Sequence, residues 1–267
     1  RYTLYASNVA TPDQLGLTRR AEDSFQQYVT LGYTVAISPR TLNVMRVGYN
    51  RSKQDSLFVP LFPNADSYNF LPGPNRTFGT AGGIEFGFTS PQLVTGAPIT
   101  RLGAPLNVPK SHLQNLYHFE DKLSYNRGSH LIKIGFEGKR YEIRSDTPAA
   151  QSGTYLFSGS IRDFLENRPT LFMGLLPGST SLRYLHQDLF GSYIQDEFRV
   201  RPNLTLNVGL RHEFVTLIRE KFGIESNLRH PSDQATTLGP IFRNPSLTNF
   251  EPRAGFAWQP LKQSTAT

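Results

Sequence analysis

Phe25-Gln-Gln-Tyr-Val-Thr-Leu-Gly-Tyr-Thr-Val-Ala-Ile37, then Ser38-Pro-Arg-Thr41, then Leu42-Asn-Val-Met-Arg-Val-Gly-Tyr-Asn-Arg51 is the stretch that decides the fold. Its odd positions up to Ile37 are Phe25, Gln27, Val29, Leu31, Tyr33, Val35 and Ile37, while the even ones are mostly polar or small. Side chains alternate across a strand, so this spacing predicts one long amphipathic β-strand. Ordinary strands run about 5–6 residues, whereas a strand that crosses a membrane needs about 9–11. After the turn at Ser38-Pro39-Arg40-Thr41, Met45, Val47 and Tyr49 share one face and Arg46, Gly48 and Asn50 the other.

The same pattern recurs downstream. Leu113 to Tyr125 sets Leu113, Tyr117, Phe119, Leu123 and Tyr125 against His118, Glu120, Lys122 and Ser124. Asp121 falls on the apolar side, which predicts a bulge there or a place near the membrane edge. Asn126-Arg127-Gly128-Ser129 is a compact turn. The strand after it carries Ile132, Ile134 and Phe136 on one face and Lys133, Gly135, Glu137 and Lys139 on the other. A third hairpin turns at Arg201-Pro202-Asn203. Its first strand, about Tyr184 to Val200, mixes Phe190, Ile194 and Phe198 with Asp188, Ser192 and Asp196. Its second separates Leu204, Leu206, Val208 and Leu210 from Thr205, Asn207, Gly209, Arg211 and Glu213. A final strand is expected over Pro252 to Gln259.

Tight turns alternate with long excursions, about Ser7 to Asp23, Ser52 to His112, Ser145 to Arg183 and Leu217 to Phe250. Structureless loops this long are uncommon in compact domains. Short turns at one end and long loops at the other are the habit of outer-membrane barrels. The expectation is therefore an all-β fold, an antiparallel transmembrane β-barrel segment of about eight or nine long strands with long extracellular loops. Lys133, Glu137, Thr205, Asn207, Arg211 and Glu213 should face an aqueous lumen, and the paired leucines lipid. Tyr68, Phe70 and Phe78 in the second excursion are candidate ligand contacts, with packing of the loop on itself as their competing role. A short helix is expected at Ile161 to Asn167, stopped by Pro169.

Composition narrows the chemistry. Cysteine is absent, which removes disulfides, thiolate metal sites and thiol catalysis. No apolar run approaches the 18–20 residues of a membrane helix. The net charge of +7 comes from scattered lysines and arginines rather than a dense run, so no nucleic-acid partner is expected. The six histidines show no metal-ligand spacing. Neither a nucleophile elbow nor a phosphate loop between strand and helix occurs. The adjacent pairs Glu120/Asp121 and Asp196/Glu197 must point to opposite faces of a strand, a poor geometry for acid–base work. The expectation is a protein that is not an enzyme and uses no cofactor.

Gly191-Ser-Tyr-Ile-Gln-Asp-Glu-Phe-Arg-Val-Arg-Pro-Asn-Leu-Thr-Leu-Asn-Val-Gly-Leu-Arg-His-Glu-Phe214 resembles a barrel hairpin of TonB-dependent outer-membrane receptors. Asn249 to Trp258 and the stretch Asp121 to Gly138 support the likeness, which is nearest to the Oar-like branch. That resemblance implies a large barrel of about 22 strands with a plugged lumen. It also implies outer-membrane lipid around the wall, an extracellular ligand of unknown kind, and a TonB complex that acts through the plug. No plug, TonB-contact segment, N-terminal regulatory-like domain or terminal aromatic residue is evident, so residues 1–267 are expected to be part of one barrel domain. Two other readings compete: a soluble secreted β-sandwich or adhesin-like module, whose strands also alternate, and a passive porin.

Overall fold

The computed structural model describes residues 1–71, 82–87, 101–158, 160–176, 178–242 and 246–260. In chain order the strands are β1 (Tyr2–Pro12), β2 (Thr18–Ser38), β3 (Thr41–Pro60), β4 (Gly83–Phe86), β5 (Lys110–Arg127), β6 (His130–Asp146) and β7 (Thr154–Phe157). Helix α1 (Ile161–Leu165) precedes β8 (Leu171–Met173), β9 (Arg183–Arg201), β10 (Leu204–Val215), β11 (Arg219–Glu220), β12 (Ser226–Asn227), β13 (Thr237–Leu238) and β14 (Phe250–Trp258). Eight long strands pair as neighbours in the order β1-β2-β3-β5-β6-β9-β10-β14, all antiparallel. Among the described residues the sheet is not closed: β1 and β14 each pair on one side only.

The register fixes how the strands lean. Thr41, the first residue of β3, lies in one row with Tyr125, Ile132, Asp196 and Val208. Val208 stands four residues beyond Leu204, where β10 begins. A stagger of four residues across four strand spacings is about 14 Å along the chain for about 19 Å across it. The tilt is then about 35°, within the range of membrane barrels. The three tight turns, at Pro39-Arg40, Gly128-Ser129 and Pro202-Asn203, all fall at one end.

One face of this sheet carries Leu31, Val47, Phe119, Ile134, Ile194, Val208 and Phe256, all exposed, Leu31 by 68% and Phe256 by 72%. No second sheet covers them among the described residues, which overturns the β-sandwich reading. An apolar face left bare by the chain itself is a face for lipid. From Leu204 to Phe214 the outward side chains span about 28 Å along the membrane normal at this tilt, close to the apolar band of about 25 Å that such barrels present. Aromatic rings mark its upper edge: Tyr49 meets Tyr117 at 5.3 Å, Phe190 meets Phe214 at 5.3 Å, and His212 stacks on Phe250 at 4.4 Å. Near the lower edge His130 stacks on Phe198 at 4.2 Å, and Trp258 pairs with Leu204. No described helix is long and apolar enough to cross a membrane.

Several expectations need correction. Ser7 to Asp23 is not a long excursion: β1 runs to Pro12 and pairs with β2 across a loop of residues 13–17. Asp13 closes that loop by accepting hydrogen bonds from the Leu17 amide at 2.9 Å and from the Thr18 hydroxyl. The excursion expected from Ser52 begins only after Pro60, because β3 continues to pair with β2 and β5. The last strand is Phe250–Trp258, starting two residues before Pro252. Helix α1 stops at Leu165, because Asn167 has φ +53°, outside the helical region. Asp121 sits in an unbroken register and needs no bulge; it accepts a hydrogen bond from Asn43 Nδ2 at 2.6 Å. The poor alternation of β9 has a similar cause. Asp196 is paired with His130 at 2.7 Å, and Asp188 lies 3.6 Å from Arg140.

The face assignment is testable in the intact protein. Val208→Arg should destabilise it by about 2–4 kcal/mol in urea titrations from lipid vesicles, and Thr205→Arg by far less. Equal losses would contradict the assignment.

Candidate functional site

The polar face is organised in layers of charge. One hydrogen-bonding row holds Arg46, Glu120, Glu137, Gly191 and Glu213. The next row toward the long loops holds His118 and Lys139, and the next toward the tight turns Lys122 and Arg211. Glu120 and Glu137 stand directly opposite each other, an arrangement that repels. The flanking cations offset it. Glu137 is the hub, 3.0 Å from His118 Nε2, 2.6 Å from Lys139 Nζ and 3.9 Å from Arg211 Nη2. Glu120 pairs with Lys122 and, at 3.6 Å, with Arg46. Arg211 also donates to Glu213 through Nη2 at 2.6 Å and Nε at 3.0 Å.

Gly191 makes this reach possible. It lies between Glu137 on β6 and Glu213 on β10, and a Cβ there would stand 3.3 Å from Arg211 Nη2. The missing side chain leaves a slot through which the guanidinium crosses β9. Gly135 serves Tyr193 in the same way: a Cβ there would fall 2.2 Å from the Tyr193 ring.

All six lumen candidates lie on this face. Glu137, Arg211 and Glu213 meet in the hub. Lys133 lies closer to the tight turns, 3.8 Å from Glu197. Asn207 lines a shallow groove of about 500 Å³ with Lys133, Gln195, Gly209 and Arg253. Thr205 stands apart from both, opposite Arg199 and Ala257. Arg46, His118, Glu120, Lys122 and Lys139 complete the network. Alternation put these on the polar side, but only the register aligns them.

The long loops form a structure of their own. β4 pairs in parallel with β7, which pairs with β8, so the excursions after β3 and β6 share one small sheet. Phe70 meets Tyr155 at 5.1 Å, and Phe86 and Phe157 both pack on Phe164 at 5.3 Å. Leu156 beneath them is 2% exposed. Among the described residues, the buried apolar side chains are thus in the loops, with Phe58 on β3 the exception. Phe58 on the polar face of β3 clusters with Ala104 and Val108, so the first of these loops folds over the polar face. Phe70 is therefore part of the packing, whereas Tyr68 is 57% exposed, with its ring edge-on to Phe62. Phe78 lies outside the described residues.

The loop after β10 is held by buried carboxylates. Glu220 accepts hydrogen bonds from the amides of Tyr184 at 3.1 Å, Phe222 at 2.7 Å and Ile224 at 3.3 Å, and Glu225 accepts from the Glu220 amide at 3.1 Å. Burial pushes the Glu220 carboxyl up, but these amides and the nearby Arg183 outweigh it and hold it below the ordinary 4.5. No group of three or more His, Asp or Glu residues poised for a metal occurs among the described residues.

Two outcomes follow from this geometry. Filling the slot with Gly191→Leu should remove the Arg211–Glu137 coupling, read as a double-mutant cycle falling from about 0.5–1 kcal/mol toward zero. A carboxyl held low in the folded state stabilises fully above its unfolded value, and that stabilisation is lost as pH falls through the folded value. Amide protection at Phe222 and Ile224 should thus be constant above about pH 5 and decline on acidification below 4.5. Glu220→Gln should remove that decline.

The profile of the outer membrane beta barrel domain family matches residues 1–266. No curated protein matches the chain. Among solved structures, FpvA of P. aeruginosa bound to heterologous pyoverdines with iron aligns over 98% of this chain at 13% identity and a TM-score of 0.37. The alignment takes in 39% of FpvA, so the chain spans about two-fifths of that protein's length. The lipid-ready outer face, the tilt and the match over nearly the full sequence agree: the chain belongs to the outer membrane beta barrel domain family and lies in a Gram-negative outer membrane.

Proposed function

We propose that this chain is the barrel portion of a TonB-dependent transporter or receptor of the Oar-like branch, which moves a large ligand across the outer membrane at the expense of the proton gradient. The observation that carries the reading is the pairing of a charged, ion-paired wall with a two-loop cap folded over that same face. A wall that fixes its charges in pairs suits a lumen filled by a folded occupant, here a plug reached by TonB. The sheet's two open edges ask for further strands, because unpaired backbone groups are not tolerated in hydrocarbon. The hairpin from Gly191 to Phe214 supplies the family likeness. Residues 1–267 are on this reading one segment of a larger barrel domain, and the chain performs binding and passage without catalysis or a cofactor.

The test uses the full-length protein in cells and in planar bilayers. An energised transporter should show ligand accumulation that a protonophore abolishes, and little steady ion conductance. A passive porin would show the reverse, with conductance in the bilayer and solute entry insensitive to the protonophore. Capturing the ligand from spent medium on the purified full-length protein would name the cargo. Exposed Tyr68 at the cap is the side chain expected to contact it, so Tyr68→Ala should weaken capture while leaving the barrel folded.

A further inference from the structure

Two rows of the polar face carry no charge. Beyond His118 and Lys139, toward the long loops, the first row holds Tyr28, Asn50, Leu116, Tyr141 and Gln187, and the second Gln26, Ser52, Gln114, Ile143 and Leu185. Thr3 and Tyr5 extend them onto β1. We propose that this belt is the wall of a binding site for an uncharged oligosaccharide. The inference rests on the transporter reading for the direction of arrival and names the class of the ligand.

The belt lies between two occupied regions. Below it is the ion-paired hub around Glu137, and above it the cap docks at Phe58, eight residues beyond Asn50 on β3. Tyr141 stands eleven residues from the start of β6, about 30 Å above the tight turns at the tilt derived above. That is the upper edge of the apolar band, so a ligand entering under the cap reaches the belt before the hub.

Its hydrogen-bonding groups are largely unspent. The side chains of Ser52, Gln114 and Tyr141 make no hydrogen bond to any described residue. Among the described residues the Gln26 side chain only accepts, from the Tyr28 hydroxyl at 3.3 Å, and that of Gln187 only donates, to the Thr216 carbonyl at 3.0 Å. Asn50 Oδ1 lies under the surface with no donor among the described residues, and an acceptor left in this way is costly until a donor arrives. The hub differs, because Glu120, Glu137 and Glu213 each already hold a cation.

Chemistry selects the occupant. An anion finds no cation in these rows and a cation no carboxylate, while an apolar ligand would leave the amides bare. A sugar hydroxyl both donates and accepts, and an amide side chain offers one group of each kind in one plane. Tyrosine adds a flat apolar face with a polar tip, and Leu116, Ile143 and Leu185 add apolar contact for the C–H faces of a ring. Tyr28, 40% exposed, and Tyr141 share a row three strand spacings apart, or about 14 Å. A short run of sugar rings spans that gap.

The experiment titrates the purified full-length protein in detergent by calorimetry. The neutral probes are cellohexaose, maltohexaose and xylohexaose; hexagalacturonate is the anionic probe, and a neutral glycine–serine peptide the third kind. At least one neutral hexasaccharide should bind, about tenfold or more tightly than hexagalacturonate or the peptide. Gln114→Ala and Tyr141→Ala should each weaken it about tenfold, and Tyr141→Phe less than Tyr141→Ala. Arg51→Gln, beside Asn50 but on the outward face of β3, should bind as wild type. Binding by none of the three sugars, equal binding of hexagalacturonate or the peptide, or unchanged affinity in both alanine variants would overturn the proposal. If a variant fails to show the heat-modifiable migration of a folded barrel, the probe series on the wild type decides the matter. Binding in detergent needs neither TonB nor a gradient. Sugar binding with protonophore-insensitive uptake would therefore end the transporter reading alone. Protonophore-sensitive uptake of a cargo that the alanine variants bind normally would end this one alone.

Discussion

Everything in this structure depends on backbone hydrogen bonding from strand to strand in a medium without water. In hydrocarbon an unpaired N–H or C=O costs several kcal/mol, so the strands must pair along their membrane-spanning length. That constraint explains why β2, β3, β5, β6 and β9 run 17–21 residues when most strands are far shorter. It also explains why the wall has no apolar core of its own. The leucines and phenylalanines that would fill a soluble protein point outward and leave their burial to lipid.

The same pairing sets the chemistry of the inner surface. Because register is continuous across β3, β5, β6, β9 and β10, side chains far apart in sequence fall into rows. Three glutamates in one row would repel, and the basic residues in the rows above and below turn that conflict into a network. Gly191 contributes by what it lacks: a slot one side chain deep lets Arg211 reach two carboxylates on strands to either side of β9. On the outer face, carboxylates at membrane depth are similarly compensated, Asp121 by Asn43 and Asp196 by His130, which softens the cost of placing charge among lipid tails.

Compactness has moved to the loops. The parallel contact between β4 and β7 joins two excursions that the wall itself holds apart, and aromatic rings seal the joint. This gives the mouth of the barrel a small folded body over its polar face. Glu220, held by three amides, does comparable work for the loop after β10. A loop organised in this way presents a defined surface to whatever approaches from outside.

Alternation of side chains was legible in the residues themselves, because the pleat of a strand makes period two a local property. The faces of β2, β3, β5, β6 and β10 could therefore be read directly, with Glu137, Arg211 and Glu213 on the polar side and Leu206 and Val208 on the other. The β1–β2 hairpin could not, since Thr3, Tyr5, Ser7 and Val9 mix polar and apolar residues on one face, although Pro12 and Gly16, the latter at φ +67°, mark the turn that Asp13 closes. The hub around Glu137, the slot at Gly191, the loop sheet, and the packing of Phe70 beside an exposed Tyr68 depend on pairing between segments tens of residues apart. Register and loop docking are long-range hydrogen-bonding choices, and no local pattern encodes them; only the assembled sheet decides which charges meet.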